Sequence, residues 1–348
     1  MNRPNPERRL ALHSLHQANG ATFGTAGGWN VPLGYGNPEL ETTAIREGAG
    51  LFDRSYRSRL LVTGTDAGEL LHSVFAGHVG ELEEGRSMRS VWLREDGCIG
   101  DLALISRTAG IAYLVSGEAS RRAATLARIE QGARPDFDVQ IDDRTETTCM
   151  VGLAGPGAAQ VANDHLSDAL PARLGPLHCL AFEFHGYRGL AVRTSDTGED
   201  GFEFMLAPAV AEHLVETLRA AGVPLVGQDA LEVLRVEACI PAYEPDLAPG
   251  LSPAEADLDI ALGIEGGRDG RILAALLFDG PGTVETGATV TSGDQVVGEV
   301  RSCVRSATLN AAVGLGIIES HHALPGRALE AGRRRAVVVA KPFFRRRT

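Results

Sequence analysis

Arg193-Thr194-Ser195-Asp196-Thr197-Gly198-Glu199-Asp200-Gly201-Phe202-Glu203-Phe204 is the stretch on which the reading of this chain turns. Residues 197–201 form a tight turn, as their glycines and acidic residues favour. Phe202-Glu203-Phe204 continues as a strand, so both phenylalanines share one face and Glu203 takes the other. Two outcomes are open. If the phenylalanines are core, Glu203 is solvent-exposed; if Glu203 faces a cavity, it is a bidentate acceptor for an amidine-like edge. Arg193, just before the turn, caps or braces it.

Two more stretches accompany it. Leu93-Arg94-Glu95-Asp96-Gly97-Cys98-Ile99-Gly100-Asp101-Leu102 reads as a hairpin, with strands over 88–93 and 98–106 and an Asp-Gly turn that needs positive φ. Asp101 opens the apolar run Leu102-Ala103-Leu104-Ile105. A carboxylate at a strand mouth can be shielded from water, which tunes its protonation; taken alone, it is more simply the end of a strand. Val233-Leu234-Arg235-Val236-Glu237-Ala238 is helical, so Arg235 and Glu237 form an ion pair, a solvated face or part of a site. Tyr243 and Asp246 fall in an irregular stretch, 241–250, that can wall a pocket.

The 348 residues predict two or three domains. A net charge of −12 speaks against a nucleic-acid partner, and Arg345-Arg346-Arg347 reads as a solvated tail. No apolar run of about 18 residues spans a membrane, and Met1-Asn2-Arg3-Pro4-Asn5 lacks a secretory apolar segment, so a cytoplasmic location is expected. Cys98, Cys149, Cys179, Cys239 and Cys303 are scattered, which predicts reduced, mostly buried thiols and no metal site. Gly155-Pro156-Gly157 is no phosphate loop, because proline removes a donor. His321-His322 reads as a surface pair with no matching carboxylate nearby in sequence, and no nucleophile elbow supports Ser-His-Asp chemistry.

Along the chain, helices are expected over 10–18, 38–49, 67–75, 118–132, 157–166, 208–221 and 228–238. Strands are expected over 58–64, 112–116, 149–154, 180–185, 189–194 and 201–206. After Arg271 the texture becomes short strands, expected over 272–278, 288–291, 295–304, 311–318 and 335–340, among Gly, Pro and Asp turns, a small all-β module. The class is α+β: two α+β lobes followed by a C-terminal β-barrel. The first lobe is assigned to 1–50 and 147–240, the second to 51–146 and 241–270, and the barrel to 271–348.

In order, these blocks resemble the glycine-cleavage T-protein superfamily of folate-dependent aminomethyltransferases. The resemblance extends to Gly28-Trp29 through Pro32, Ala49-Gly50-Leu51-Phe52-Asp53, Leu153-Ala154-Gly155-Pro156, Ser252-Pro253-Ala254-Glu255-Ala256 and the block from Gly298 to Leu309. It implies a three-domain cloverleaf around tetrahydrofolate, with the 5,10-methylene or 5-methyl form as product. It implies Asp101 as the catalytic carboxylate beside N5 and Glu203 as the grip on the pterin's amino-pyrimidine edge. Ser116, Asp196, Glu199 and Arg235 complete the implied folate shell, with no metal. The implied partners are a small-molecule amine or methyl donor and a lipoyl carrier protein.

The chain departs from the family pattern at several places. Asp196 replaces a tyrosine, Ser116 an asparagine, Gly100 the second carboxylate of an Asp-Asp pair and Ile105 an aromatic; Leu231 stands where an arginine meets folate's glutamyl tail. The alternatives are therefore a non-catalytic folate-binding or regulatory relative, or a tailoring enzyme with a rebuilt acceptor pocket. The sister branch that supports iron–sulfur assembly carries Lys-Gly-Cys-Tyr-x-Gly-Gln-Glu; Asp259 to Arg268 lacks its lysine and cysteine.

Overall fold

In the computed structural model, which describes residues 8–166, 170–263 and 270–346, Phe202 and Phe204 are core residues and Glu203 is buried as well. This departs from the alternative in which core phenylalanines leave Glu203 solvent-exposed. The reason is that the sheet carrying them is covered on both faces. Its strand order is Cys179–Phe184, Tyr187–Val192, Gly201–Leu206, Cys149–Ala154, Gly50–Asp53, all antiparallel neighbours. On one face Phe202 and Phe204 pack with Leu214 and Leu218 of the helix Pro208–Ala220 and with Ala158 and Ala162 of the helix Ala158–His165. On the other, Leu190, Val192 and Met205 pack against Leu104 and Leu114.

Those last two residues belong to a second antiparallel sheet, ordered Ser87–Leu93, Ile99–Ala109, Ala112–Gly117, Ser58–Thr63, Gln140–Asp143. Its far face, with Ala103, Ile105, Tyr113 and Val115, is closed by the helices Ala67–Val74 and Arg122–Gly132. Both sheets fall in one compact unit, made of the described residues of Met1–Trp92, Gly100–Ser195 and Glu199–Ala230. The expected helix over 118–132 begins with a 3-10 turn, Ala119–Arg121, and the polar strand Gln140–Asp143 has too little apolar alternation to announce itself.

The segment joining the sheets, residues 54–57, is held from both ends. Asp53 is buried; its Oδ2 lies 2.8 Å from His16 Nε2, and its Oδ1 accepts the Ser55 N–H at 2.8 Å. Burial alone would raise its carboxyl pKa, but the His16 and Ser55 bonds outweigh burial and lower it. At the other end, Arg59 is fully buried. Its guanidinium donates to the carbonyls of Ser55, Arg57, Thr145 and Thr148 and to the Thr148 hydroxyl. Burial lowers its pKa to about 10, so the cation survives at neutral pH.

The second unit comprises the described residues of Leu93–Ile99, Asp196–Gly198 and Leu231–Thr348. Its β-module is a closed barrel, ordered Arg271–Phe278, Ala311–Glu319, Gln295–Ser306, Thr289–Ser292, Ala328–Ala331, Arg334–Val339. The sequence reading missed Ala328–Ala331, a four-residue strand without a β-branched side chain. The irregular stretch 241–250 contains a helical turn, Tyr243–Leu247. The Asp-Gly turn forms as expected, with Gly97 at φ 78°. Residues 1–5, 264–268 and 347, which entered the readings of the N-terminus, the sister-branch segment and the tail, lie outside the described residues.

Arg59→Met should cost about 3–5 kcal/mol, because it strands four carbonyls that the guanidinium now satisfies. Urea unfolding monitored by circular dichroism measures this; a loss below about 1 kcal/mol would mean that water replaces the cation.

Candidate active site

Asp101 is fully buried on the strand Ile99–Ala109. Strand alternation sets it with Ala103 and Ile105, on the face closed by helices. Its Oδ1 accepts the N–H of Leu102 at 2.8 Å and of Glu118 at 3.3 Å, and its Oδ2 accepts the Thr125 hydroxyl at 2.7 Å. Burial raises its pKa, and the Glu118 charge adds to this; the three donors oppose them, and the balance stands at about 7.

The backbone makes room for this carboxylate. A Cβ on residue 117 would lie 2.5 Å from Asp101 Oδ2 and 3.1 Å from Ser58 Oγ, so only glycine fits at Gly117. Gly100 has an equally concrete cause: a Cβ there would meet the Trp92 ring at 2.2 Å. Arg121 seals that corner, donating from Nε to the Gly100 carbonyl at 2.7 Å and lying 5.7 Å over the Trp92 ring.

Glu203 and Ser116 lie on the opposite side, where the two sheets face each other. Ser116, 3% exposed, pairs in register with Leu104 and places its Oγ 3.9 Å from Met150 Sδ. Glu203, 6% exposed, has Arg54 Nε 3.9 Å from Oε1. Arg54 is itself buried and its guanidinium lies 5.6 Å from the Phe52 ring. Arg57, also buried, is 3.4 Å from Glu118. Glu199 is buried with Arg46 Nη1 3.4 Å from Oε1. Arg193 braces the turn as expected, with Nε 3.0 Å and Nη2 2.5 Å from the Asp200 carboxylate.

In the second unit, Asp196 is half-buried. Arg235 differs from the expectation of a folate contact. It is buried, and its five N–H groups are committed to Glu232, Asp246, Ser302 and the Ile240 carbonyl. Burial would lower its pKa, but Asp246 and Glu232 together raise it, so this is a structural cation. Glu237 does not pair with it in that network; Ser306 Oγ donates to Glu237 Oε1 at 2.6 Å. Asp246 is a partner of Arg235 and of the Ser302 hydroxyl, which donates to it at 2.5 Å.

Two further readings change. His322 is buried, and the ligand atoms of Glu319, His321 and His322 lie within 4.8 Å of one another, so the histidine pair does have a carboxylate beside it. Arg327 Nη2, 3.4 Å from His322 Nδ1, already places a cation there, which opposes a second. The cysteines carry no disulfide; Cys149 and Cys179 are buried, and Cys98, Cys239 and Cys303 are only half-buried. The sequence reading also missed Arg54, Arg57, Trp92, Gly117 and Thr125. Only the unusual density of arginine over 54–59 could have flagged any of them.

Residues 12–265 match the GCVT N-terminal domain family, and residues 271–345 match the glycine cleavage T-protein C-terminal barrel domain. An aminomethyltransferase from Streptomyces coelicolor is 31% identical, covering 97% of this chain and 98% of that protein. One from Streptomyces avermitilis is 32% identical, covering 98% and 99%. The crystal structure of the glycine cleavage system aminomethyltransferase T from Bartonella henselae is similar at TM-score 0.88 and 26% identity, covering 97% of this chain and 98% of that one.

Because the Asp101 pKa is raised from 3.8 to about 7 in the folded protein, its contribution to stability is full below about pH 4 and is lost as pH rises through 7. Asp101→Asn cannot ionise. Its stability relative to wild type should therefore climb by roughly 4 kcal/mol at most between pH 4 and 8. Urea unfolding at fixed pH steps measures this, and a difference that stays flat contradicts the raised pKa.

Proposed function

The chain belongs to the glycine cleavage T-protein family, and from that premise we propose that it is a folate-dependent one-carbon transferase. The observation that supports this most is Asp101, an enclosed carboxyl bonded only to uncharged donors, whose pKa burial raises to about 7. Its partners in the reaction are tetrahydrofolate and a small-molecule amine or methyl donor, with a lipoyl carrier protein as the source of an aminomethyl group. The donor set suits a reduced pterin: Glu203 would hold the amino-pyrimidine edge, and Arg54 beside it keeps the carboxylate in place. When bound, tetrahydrofolate supplies the nitrogen that takes up the carbon, giving the 5,10-methylene or 5-methyl form.

Asp101 acts on the proton. Its Oδ2 accepts the proton lost by the nitrogen that takes up the carbon, and the neutral acid so formed gives that proton to the donor's nitrogen, which leaves as ammonia or a smaller amine as its bond to the carbon breaks. While ionised, a carboxylate about 4 Å from developing positive charge contributes roughly 4 kcal/mol at an effective dielectric of about 20. General-base help of this kind is worth about 10²–10⁴ in rate.

One observation favours a second reading, a folate-binding relative without turnover. Asp101 has no solvent exposure and lies on the helix-covered side of its sheet, while Glu203 and Ser116 lie on the inter-sheet side. Calorimetric titration with tetrahydrofolate and a single-turnover assay with aminomethyl and methyl donors separate the two. The transferase reading expects binding that Glu203→Gln weakens at least about tenfold. It also expects turnover that Asp101→Asn lowers by about 10²–10⁴, with wild-type kcat/KM rising through pH 7. Binding without turnover establishes the second reading; absence of both overturns each.

A further inference from the structure

Asp101 is bound to a side chain that is itself bound to a third. Trp92 Nε1 lies 3.0 Å from Thr125 Oγ1, and Thr125 Oγ1 lies 2.7 Å from Asp101 Oδ2. All three side chains are buried. We propose that Trp92 and Thr125 form a one-way hydrogen-bond relay that fixes the direction of the Thr125 proton and thereby sets the proton affinity of Asp101. The inference deepens the transferase reading and depends on it only for its kinetic consequence.

The direction follows from the inventory of donors. An indole N–H can only donate, so the Thr125 oxygen must be the acceptor, and the single hydroxyl hydrogen is left for Asp101. Thr125 lies within the helix Arg122–Gly132, where a free hydroxyl would turn to the carbonyl one turn back. Trp92 opposes that rotation. An ionised carboxylate has about four acceptor positions. Two on Oδ1 are taken by the N–H groups of Leu102 and Glu118, and one on Oδ2 by Thr125. A proton therefore has one address, the remaining position on Oδ2, the oxygen that approaches Gly117. The charged groups around the carboxylate are Glu118, with Arg57 3.4 Å from it, and Arg121 on the Gly100 carbonyl.

Gly100 belongs to the same device. The Trp92 ring occupies the volume that any side chain at residue 100 would need. In place of a second carboxylate beside Asp101, the chain has an indole that donates, through a hydroxyl, to the one that remains. Trp92 and Thr125 are thus positioning residues: they act on the reaction through Asp101.

Carbon-13 carboxyl shifts of aspartate-labelled protein, recorded from pH 4 to 10, read the Asp101 titration without any need for activity; Asp101→Asn assigns the resonance. The indole N–H resonance of Trp92, assigned by Trp92→Phe, is followed in parallel. In wild type the indole resonance should shift with the Asp101 midpoint, and Asp101→Asn should flatten it. Thr125→Val removes a donor to the charged form and should raise the midpoint by about one unit, a tenfold change in proton affinity. Thr125→Ser should restore it, and Trp92→Phe should raise it by less than Thr125→Val. If Thr125→Val does not fold, the Trp92→Phe and Thr125→Ser midpoints carry the same comparison. An unmoved midpoint in Thr125→Val or Trp92→Phe, or an indole resonance indifferent to pH, overturns the relay. The pH profile of kcat/KM should follow the same order of shifts. Carboxyl midpoints that move while no transfer occurs would leave the relay standing and remove the transferase reading.

Discussion

Charge removed from water must be met by hydrogen bonds or by opposite charge, and this protein is arranged around three side chains that obey that constraint in different ways. Arg59 is met by neutral carbonyls and a hydroxyl, Arg235 by two carboxylates, and Asp101 by neutral donors alone. The consequences differ accordingly. Carbonyl dipoles hold Arg59 but leave its pKa lowered, whereas full counter-charges raise that of Arg235. For Asp101, three neutral donors do not offset burial, and the carboxyl is left able to change charge near neutrality. Of the three, only this last arrangement suits proton exchange; the other two suit rigidity.

The segment 54–57 shows how rigidity reaches the candidate site. Asp53, bonded to His16, fixes its start, and Arg59 draws the carbonyls of Ser55 and Arg57 inward. With its backbone so held, the segment presents Arg54 to Glu203 and Arg57 to Glu118. A loop with free carbonyls would present the same arginines less precisely, and placement within about half an ångström is what a binding constellation needs.

The alternation of Phe202, Glu203 and Phe204 was legible from the sequence, and so were the Asp-Gly hairpin and most barrel strands. These are local signals: period-two patterning and a turn that needs positive φ. What covers the second face of a sheet is not local. Glu203 is buried because Leu190, Val192 and Met205 meet Leu104 and Leu114, residues some ninety positions away. Arg235 illustrates the same limit. Its helix could be read, but Asp246 and Ser302, which consume its donors, come from a later turn and a barrel strand. Gly100 was legible only as a missing carboxylate. Its cause, the ring of Trp92, lies on the neighbouring strand, and no spacing rule connects a glycine to the indole that excludes its side chain.

The two carboxylates carried by the resemblance therefore separate by environment as well as by face. Glu203 has a permanent cation 3.9 Å away and sits where two sheets meet, conditions that suit an anchor. Asp101 has only uncharged donors on its oxygens and sits on the helix-covered side, conditions that suit a group whose charge comes and goes. Environments that push paired acidic groups apart are how one site assigns holding and proton transfer to different residues. The division proposed for this chain rests on the neighbours: Arg54 on one side, and Thr125 backed by Trp92 on the other.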